Sequence, residues 1–376
     1  MSKDVWCSLP WIHACVRTDN NLRPCCRYKG DGDLTFDDVE AKGVEAFNSP
    51  YWTKLRQDML DGTPRSECVK CYTEERNTNS IKPSMRLFLN KRYSHAVTRE
   101  SATDQFHSLR YVEMSLDNIC NLQCRMCNSA FSSRLQQRDQ YLNTRVYKKL
   151  EPNWHKFDSC DLSQLEYVKI LGGEPFITPN FEPFVDWLSS RVDLSQVTLE
   201  IATNGTGKPR PQLVEKLRQF HYINVNVSLD SVHPVNDYQR EGSNWESILA
   251  MYHTMIKTFP NIVPSVHMTQ SIFTANHLAD SLEYLDNHSI GYTVDFVIDP
   301  DHLNIQCATP EVKQWIRESN SHHAKALSLV NNHLKTDKHT KQTWQDLEYH
   351  VTMLDDYYNK QLADYNPVLA QHLGGN

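Results

Sequence analysis

From Leu109 onward, short runs rich in β-branched and aromatic residues alternate with stretches that have helical periodicity. This alternation is typical of βα units, which build a parallel sheet through right-handed crossovers. Six strands are predicted, with the sequences LRYVEMSL from Leu109, LEYVKIL from Leu165, VTLEIAT from Val197, YINVNVSLD from Tyr222, VPSVHMTQSI from Val263 and YTVDFVI from Tyr292.

Several of these strands alternate polar with apolar residues, whereas parallel strands that are covered on both faces are normally apolar throughout. One face is therefore predicted to be wet, and its polar residues are Glu113, Ser115, Asp117, Lys169, Glu200, Asn224, Asn226, Ser228, Asp230, His267, Thr269 and Asp295. A closed eight-stranded barrel fills its interior with apolar side chains, so an open barrel with a polar trough fits better. The predicted fold class is α/β, with a partial (β/α)6 TIM-like barrel.

Helical patterns complete this picture. Ser243 and Glu246 have the spacing of a capping box, and the predicted apolar face of the helix that follows contains Trp245, Leu249, Tyr252, Ile256 and Phe259. After residue 300 the pattern is helical, and a stripe at helix spacing is predicted to pack in the core: Trp344, Leu347, Val351, Leu354 and Tyr358.

The cysteines divide the chain into units. The chain has 376 residues and 11 cysteines. An odd count argues against a simple disulfide framework in a reducing compartment and favours metal or cluster ligation. One group lies within Cys7–Cys71 and a second within Cys120–Cys127. We predict a Cys-rich unit at 1–78, a basic linker at 79–106, the barrel at 107–300 and a helical extension at 301–376.

Charge and hydropathy limit the expected cellular location and the expected binding partners. No signal-peptide pattern and no run of 18 apolar residues is present, so we expect a cytoplasmic protein without a membrane partner. The formal net charge of -7 gives no overall attraction for nucleic acid. Arg76–Arg99, however, carries six Lys or Arg residues and no acid. This stretch is interpreted either as a solvated linker or as a contact for an acidic substrate or RNA.

Cys120, Cys124 and Cys127 form a CxxxCxxC triad directly after the first barrel strand. Three thiolates at this spacing can hold three irons of a 4Fe-4S cluster and leave the fourth iron without a protein ligand. Structural zinc requires four ligands, and no fourth Cys or His is close in sequence. An open cluster is therefore favoured over zinc.

From Leu109 to about Ile298 the chain resembles the radical S-adenosylmethionine (SAM) superfamily. The residues that carry the resemblance are NICNLQCRMC, LGGEP, TNG at Thr203–Gly205 and SLDS at Ser228–Ser231. The resemblance implies that SAM chelates the open iron. An electron from a low-potential donor such as flavodoxin or ferredoxin then cleaves SAM to methionine and a 5′-deoxyadenosyl radical, which abstracts a substrate hydrogen.

The resemblance also implies roles for matching residues. The backbone of Gly172, Gly173 and Glu174 would accept hydrogen bonds from the methionine amino group. Arg240 would pair with the methionine carboxylate, and Met126 would take the place of an aromatic residue near the adenine. Residues expected near the ribose or carboxylate are Thr203, Asn204, Ser228 and Asp230.

The amino-terminal cysteines resemble the twitch or SPASM type of auxiliary cluster domain, which implies a second 4Fe-4S cluster. Its expected ligands are Cys7, Cys25, Cys68 and Cys71, with Asn20 in the place of the family's turn glycine. This unit precedes the barrel, whereas in the family it typically follows. Cys15 and Cys26 are surplus candidates, and a four-cysteine zinc site is the alternative.

Within the trough, the candidates for orienting substrate or moving a proton are Glu113, Lys169, His267 and Asp295, and the alternative is a hydrated, salt-bridged barrel mouth. The leading hypothesis is an enzyme that oxidises or rearranges a peptide, a protein side chain or a polar small molecule. One alternative is RNA modification, against which the acidic net charge counts. Another is a non-catalytic iron-sulfur or zinc protein.

Overall fold

The computed structural model describes residues 5–30, 32–76 and 83–374. The strands of the described residues are β1 His13–Val16, β2 Leu22–Arg23, β3 Tyr111–Ser115, β4 Tyr167–Leu171, β5 Thr198–Thr203, β6 Tyr222–Ser228, β7 Ile262–Gln270 and β8 Tyr292–Phe296. The α-helices are α1 Leu9–Ile12, α2 Phe36–Lys42, α3 Pro50–Leu60, α4 Val69–Arg76, α5 Met85–Arg92, α6 Gln136–Tyr141, α7 Phe181–Ser189, α8 Pro211–Leu217, α9 Val235–Gln239, α10 Trp245–Thr258, α11 Leu278–Asn287, α12 Pro310–Ser319, α13 Ala324–His333, α14 Lys341–Tyr358 and α15 Pro367–Gly374.

These strands form one open sheet in the order β2-β1-β3-β4-β5-β6-β7-β8. Strands β3 to β8 are parallel neighbours in chain order, as expected for consecutive βα units. They coincide with the six predicted strands, and the α/β partial barrel is confirmed. The sheet is wider than predicted, because β1 pairs in parallel with β3 and antiparallel with β2. The amino-terminal cysteine-rich segment therefore continues the barrel sheet.

The core lies between the apolar face of the sheet and the surrounding helices. Ile170, Ile201, Val225 and Met268, on four adjacent strands, are all buried there. Their neighbours along each strand point to the opposite face, because side chains alternate in a β-strand. This alternation places the polar residues on a common face, as predicted.

Helix α10 differs in detail from the prediction. Its N-cap is Asn244, whose side chain accepts a hydrogen bond from Ser247 N at 2.9 Å. The predicted capping box of Ser243 and Glu246 is wrong, because the Ser243 hydroxyl instead donates to Asp237 at 3.2 Å. The apolar face is also rotated, so that Ile256 is exposed.

The carboxyl-terminal region is helical, as predicted. Trp344, Leu347, Val351 and Leu354 of α14 are buried. The hydroxyl of Tyr358, at the end of this stripe, donates to the backbone oxygen of Gln123 at 3.2 Å. Helix α14 thus contacts the segment that carries the CxxxCxxC triad.

The boundary predicted between residues 78 and 79 lies outside the described residues. None of the helices in the described part of the chain is both long enough and apolar enough to cross a membrane.

Replacing Ile201 by alanine tests the assignment of the core. Ile201 is fully buried, so Ile201→Ala is expected to lower the free energy of unfolding by about 2–5 kcal/mol. Val263→Ala is the matched control, since Val263 is 54% exposed and should lose little. Thermal unfolding followed by circular dichroism measures both, and equal losses would contradict the assignment.

Candidate functional site

The CxxxCxxC cysteines lie in the loop that leaves the carboxyl end of β3, where all three thiols are half-buried. Two nitrogen donors point at the first sulfur: the backbone N of Leu122 lies 3.4 Å from Cys120 Sγ, and Asn204 Nδ2 lies 3.7 Å from it. The Asn204 amide also donates to Asn121 Oδ1 at 2.9 Å. Donors of this kind stabilise a thiolate, so the loop is arranged to receive ligated sulfur.

Two arginines that no sequence motif marks hold this loop against the neighbouring helices. Arg138 of α6 donates to the backbone oxygens of Cys124, at 2.9 Å, and Cys127. Arg125 stacks on the Tyr238 ring at 3.6 Å and pairs with Asp355 of α14 at 3.0 Å. These contacts join the cysteine loop to α6, α9 and α14.

The GGEP turn after β4 passes directly against this loop. Gly172 and Gly173 have positive φ values of 72° and 58°. A Cβ atom on Gly172 would lie 2.4 Å from Ser115 Oγ, and one on Gly173 would lie 2.6 Å from the backbone oxygen of Ile119. Both positions therefore require glycine, and their backbone lies beside the start of the cysteine loop.

Glu174 connects this turn to the end of β5. Its carboxylate accepts hydrogen bonds from the Thr203 hydroxyl at 2.6 Å, from Asn204 N at 2.6 Å and from Phe176 N at 3.1 Å. Burial raises the pKa of Glu174 to about 7, and the three donors oppose that rise. Thr203 and Glu174 therefore have a structural role, because they hold Asn204 beside Cys120.

Asp230 and Arg240, on either side of α9, form a two-point ion pair. Arg240 Nε lies 2.7 Å from Asp230 Oδ2, and Nη2 lies 2.9 Å from Oδ1. Asp230 is fully buried and also accepts from Thr269 N at 2.8 Å, so it acts by holding the guanidinium in place. Burial raises the pKa of Cys124 to about 12, and the nearby Arg240 charge works against that rise.

These residues fit the 4Fe-4S cluster with SAM that the triad implies. One end of the sheet combines three sulfur ligands with hydrogen-bond donors to sulfur. A cation and a turn without side chains lie beside them. Met126 is partly buried against the main core next to Cys127. Ser228 ends β6 and is half-buried on the polar face, in register with His267.

The polar face of the sheet forms the predicted trough. Glu113, Lys169, Glu200 and Asn224 are successive register partners across β3 to β6. Lys169 Nζ lies 2.9 Å from Glu200 Oε1. Burial raises the pKa of Glu113, and the nearby Lys169 charge opposes this rise.

The trough is deep at one side and open at the other. Glu113 on β3 is 2% exposed, the Lys169 side chain on β4 22%, the His267 side chain on β7 34% and the Asp295 side chain on β8 60%. His267 Nε2 lies 3.8 Å from Asp295 Oδ2, and burial lowers the pKa of His267. The four candidate residues line one trough, but Glu113 and Lys169 lie at its closed side and His267 and Asp295 at its open side.

Cys15 and Cys26, the two surplus cysteines, lie on the trough side of the amino-terminal segment. Cys15 is the register partner of Glu113. Burial raises the pKa of Cys26 to about 12, and the neighbouring Glu113 carboxylate contributes to that rise. No motif distinguishes Cys26 from Cys25, because the two residues are adjacent in the chain.

The four predicted auxiliary ligands come from the start of the chain, the segment after β2 and the beginning of α4. Burial raises the pKa of Cys7 to about 12, and the nearby thiols of Cys68 and Cys71 add to the effect. Burial also raises the pKa of Cys25, and the nearby thiols of Cys26 and Cys7 add to that rise. Cys7, Cys25 and Cys68 also share an apolar cluster with Trp6 and Trp11.

The basic stretch Arg76–Arg99 is partly used within the protein. Arg86 is buried and pairs with Glu75. Arg92 lies over the Tyr167 ring at 4.2 Å, and Arg99 donates to the backbone oxygen of Leu60. These contacts favour a structural role over a phosphate contact for the three arginines.

Comparison with known families agrees with this geometry. Residues 114–285 match the model of the radical SAM superfamily. This segment is a radical SAM domain. The matched residues include the cysteine triad, the GGEP turn, Asn204 and the Asp230–Arg240 pair. The match implies a 4Fe-4S cluster and SAM as the cofactors of this domain.

Curated relatives match part of this chain. Mycofactocin maturase MftC of Mycobacterium tuberculosis is 29% identical over 153 residues, which are 40% of this chain and 36% of the relative. GTP 3′,8-cyclase of Vibrio parahaemolyticus is 26% identical over 143 residues, 38% of this chain and 40% of the relative. The chain thus spans about 36–40% of the length of these relatives.

Among solved structures, the AdoMet-bound protein anSMEcpe gives a TM-score of 0.42 at 13% identity, covering 61% of this chain and 63% of that one. SuiB of Streptococcus suis gives a TM-score of 0.39 at 13% identity, covering 82% and 65% respectively.

The Glu174 network can be tested by Glu174→Gln. The new amide group would face a backbone donor, so we expect a stability loss of about 1–3 kcal/mol. The raised pKa of Glu174 means that folding takes up a proton, so the parent should lose stability as pH rises from about 4.5 to about 7. That decline should flatten in the variant.

Thermal unfolding of the reconstituted protein between pH 4.5 and 8 measures both effects. Glu283→Gln is the control, since Glu283 lies exposed on α11. Parallel pH profiles for the parent and Glu174→Gln would contradict the assigned role of Glu174.

Proposed function

We propose that this protein is a radical SAM enzyme that abstracts a hydrogen atom from a side chain of a peptide or protein. The observation that carries the proposal is the convergence of three thiols, a glycine turn and a held arginine at the head of a polar trough. When bound, the cluster and SAM supply a 5′-deoxyadenosyl radical at this end of the sheet.

The residues around the cysteine loop act in binding and positioning. The backbone of Gly172 and Gly173 offers close approach to the amino group of SAM, because no side chain can stand there. Arg240, held from behind by Asp230, offers its remaining hydrogen-bonding capacity to the carboxylate. Met126 provides an apolar, polarisable surface for the adenine.

The trough residues bind substrate and handle protons. Lys169 lies between Glu113 and Glu200, and these two carboxylates raise the pKa of Lys169 against the effect of its burial. Glu113 is nearly inaccessible, and its Oε1 makes no hydrogen bond to the described residues. In its ionised form Glu113 has a free carboxylate oxygen that can take a proton from a substrate intermediate. The positive charge of Lys169 would stabilise this carboxylate before the transfer.

The shape of the trough favours a polypeptide substrate over a small molecule. Small-molecule sites enclose most of their ligand, whereas this trough is open along β7 and β8. At the starts of β6 and β7, Tyr222 and Val263 are exposed on the same face as the polar positions. One side chain can reach toward Glu113 while the rest of the peptide stays outside. The maturase among the relatives is consistent with this reading.

The amino-terminal thiols are proposed to hold a second 4Fe-4S cluster on Cys7, Cys25, Cys68 and Cys71. Burial raises the pKa of Cys7 and of Cys71, and the charges of Arg86 and Arg27 respectively oppose that rise. Four protein ligands would leave no open iron, so this cluster would carry electrons or shape the trough. A low-potential protein such as flavodoxin or ferredoxin is the proposed electron donor.

The first test is reductive cleavage of SAM. The anaerobically reconstituted protein, reduced with dithionite, is expected to form 5′-deoxyadenosine, which liquid chromatography quantifies. Cys124→Ala should reduce this product to the level of a protein-free sample, because the cluster loses one of three ligands. Cys160→Ala is the control, since Cys160 is buried in the main core. Failure of a cluster-loaded parent to form the product would refute the proposal.

The second test separates the two cysteine groups. A variant with Cys120, Cys124 and Cys127 all replaced by alanine is expected to keep roughly half of the iron of the parent, with an electron paramagnetic resonance signal after reduction. Further replacement of Cys68 and Cys71 should remove the remainder. The absence of any iron-sulfur signal in the triple variant would contradict a second cluster.

A further inference from the structure

A group of histidines and one aspartate joins the loop after β6 to the helices α11 and α12. His233 lies in the loop between β6 and α9, His277 ends the turn before α11, and Asp280 is in the first turn of α11. Their ligand atoms all lie within 4.8 Å of one another. His322, between α12 and α13, approaches the same aspartate.

We propose that His233, His277 and Asp280 form a binding site for a divalent transition metal ion of the zinc type, with the fourth coordination position left for water. Imidazole nitrogens together with one carboxylate suit zinc rather than magnesium or calcium. Ligands 2.0–2.1 Å from a tetrahedral ion are about 3.3–3.4 Å apart.

The distances agree with this geometry. His233 Nε2 lies 3.3 Å from Asp280 Oδ2, and His322 Nε2 lies 3.1 Å from Asp280 Oδ1. The rings of His233 and His277 have centroids 4.8 Å apart and planes inclined at 41°.

A second observation, on the ring of His233, supports a bound metal ion. Its Nε2 atom is buried and makes no hydrogen bond to the described residues, although Asp280 is close. A buried ring nitrogen without a hydrogen bond costs free energy unless another ligand satisfies it. A metal ion between His233 and Asp280 would do so.

Buried hydrogen bonds hold the contributing segments in place. The backbone N of Val232 donates to Ser281 Oγ at 3.2 Å, which fixes the His233 loop to α11. Asn320 Nδ2 donates to the backbone oxygen of Ala275 at 2.8 Å, and Asn320 Oδ1 accepts from Ala279 N at 2.8 Å. The end of α12, two residues before His322, is thus fixed beside His277 and Asp280. Little reorganisation would be needed for binding.

The site is connected to the radical SAM domain through one loop. His233 follows Asp230 by three residues, and the same segment continues through α9 to Arg240. A metal ion that joins this loop to α11 would therefore restrict the segment that holds the arginine beside the cysteine loop. We assign the ion a structural role, because the ligands lie outside the trough.

Zinc retention by the cluster-loaded protein tests the proposal. The reconstituted enzyme is exposed anaerobically to zinc chloride, desalted and analysed for zinc and iron by mass spectrometry. We expect about one zinc ion per chain in the parent, as a single site requires. Loss of most of this zinc is expected in His233→Ala and in Asp280→Asn. His253→Ala, on the exposed face of α10, is the control and should retain it.

X-ray absorption at the zinc edge identifies the ligands. The proposal requires a first shell of nitrogen and oxygen at about 2.0–2.1 Å without sulfur at about 2.3 Å. Zinc bound by sulfur, no zinc in the parent, or equal zinc in the parent and both variants would overturn it.

A variant that fails to fold does not decide the question. For this reason the exposed His322→Ala is included. His322 pairs with Asp280 and orients its carboxylate, so this variant is expected to lose part of the zinc. Unfolding temperatures with and without zinc are compared as well. Zinc should raise the unfolding temperature of the parent, because it binds the folded state, and should not raise that of His233→Ala. An equal rise in both proteins would also overturn the proposal.

Discussion

The close approach of the turn after β4 to the end of β3 is the constraint on which the site depends. Gly172 and Gly173 have no room for a Cβ atom, because Ser115 and Ile119 occupy that space. Since the turn can lie so close, the Glu174 carboxylate reaches the end of β5 and fixes Asn204 beside Cys120. Two glycines and one buried carboxylate thereby set the relative positions of three strand ends.

The barrel could be predicted from the sequence because its physical signal is local. Strands β3 to β8 alternate polar and apolar residues, and the motif residues follow strand ends, where parallel sheets place functional groups. Strands β1 and β2 could not be predicted, because they are four and two residues long and their stability comes from pairing with each other and with β3.

The parts of the site that sequence reasoning missed depend on contacts between distant segments. Arg125 pairs with Asp355 and Arg138 holds the carbonyl groups of Cys124 and Cys127, but no motif marks either arginine. The capping box failed for a local reason: Ser243 and Asn244 are both good N-caps, and only the backbone shows that Asn244 occupies that position.

The pairing of β1 with β3 changes the relation between the two cysteine groups. If the amino-terminal unit were joined by a linker alone, its distance from the trough would vary. Instead, backbone hydrogen bonds place Cys15 beside Glu113, and Cys26 faces the same carboxylate. The amino-terminal segment thus forms the closed side of the trough, while β8 leaves the other side open. A group bound by Cys7 and Cys25 would keep a fixed position relative to the substrate, so an influence on the reaction would need no domain movement.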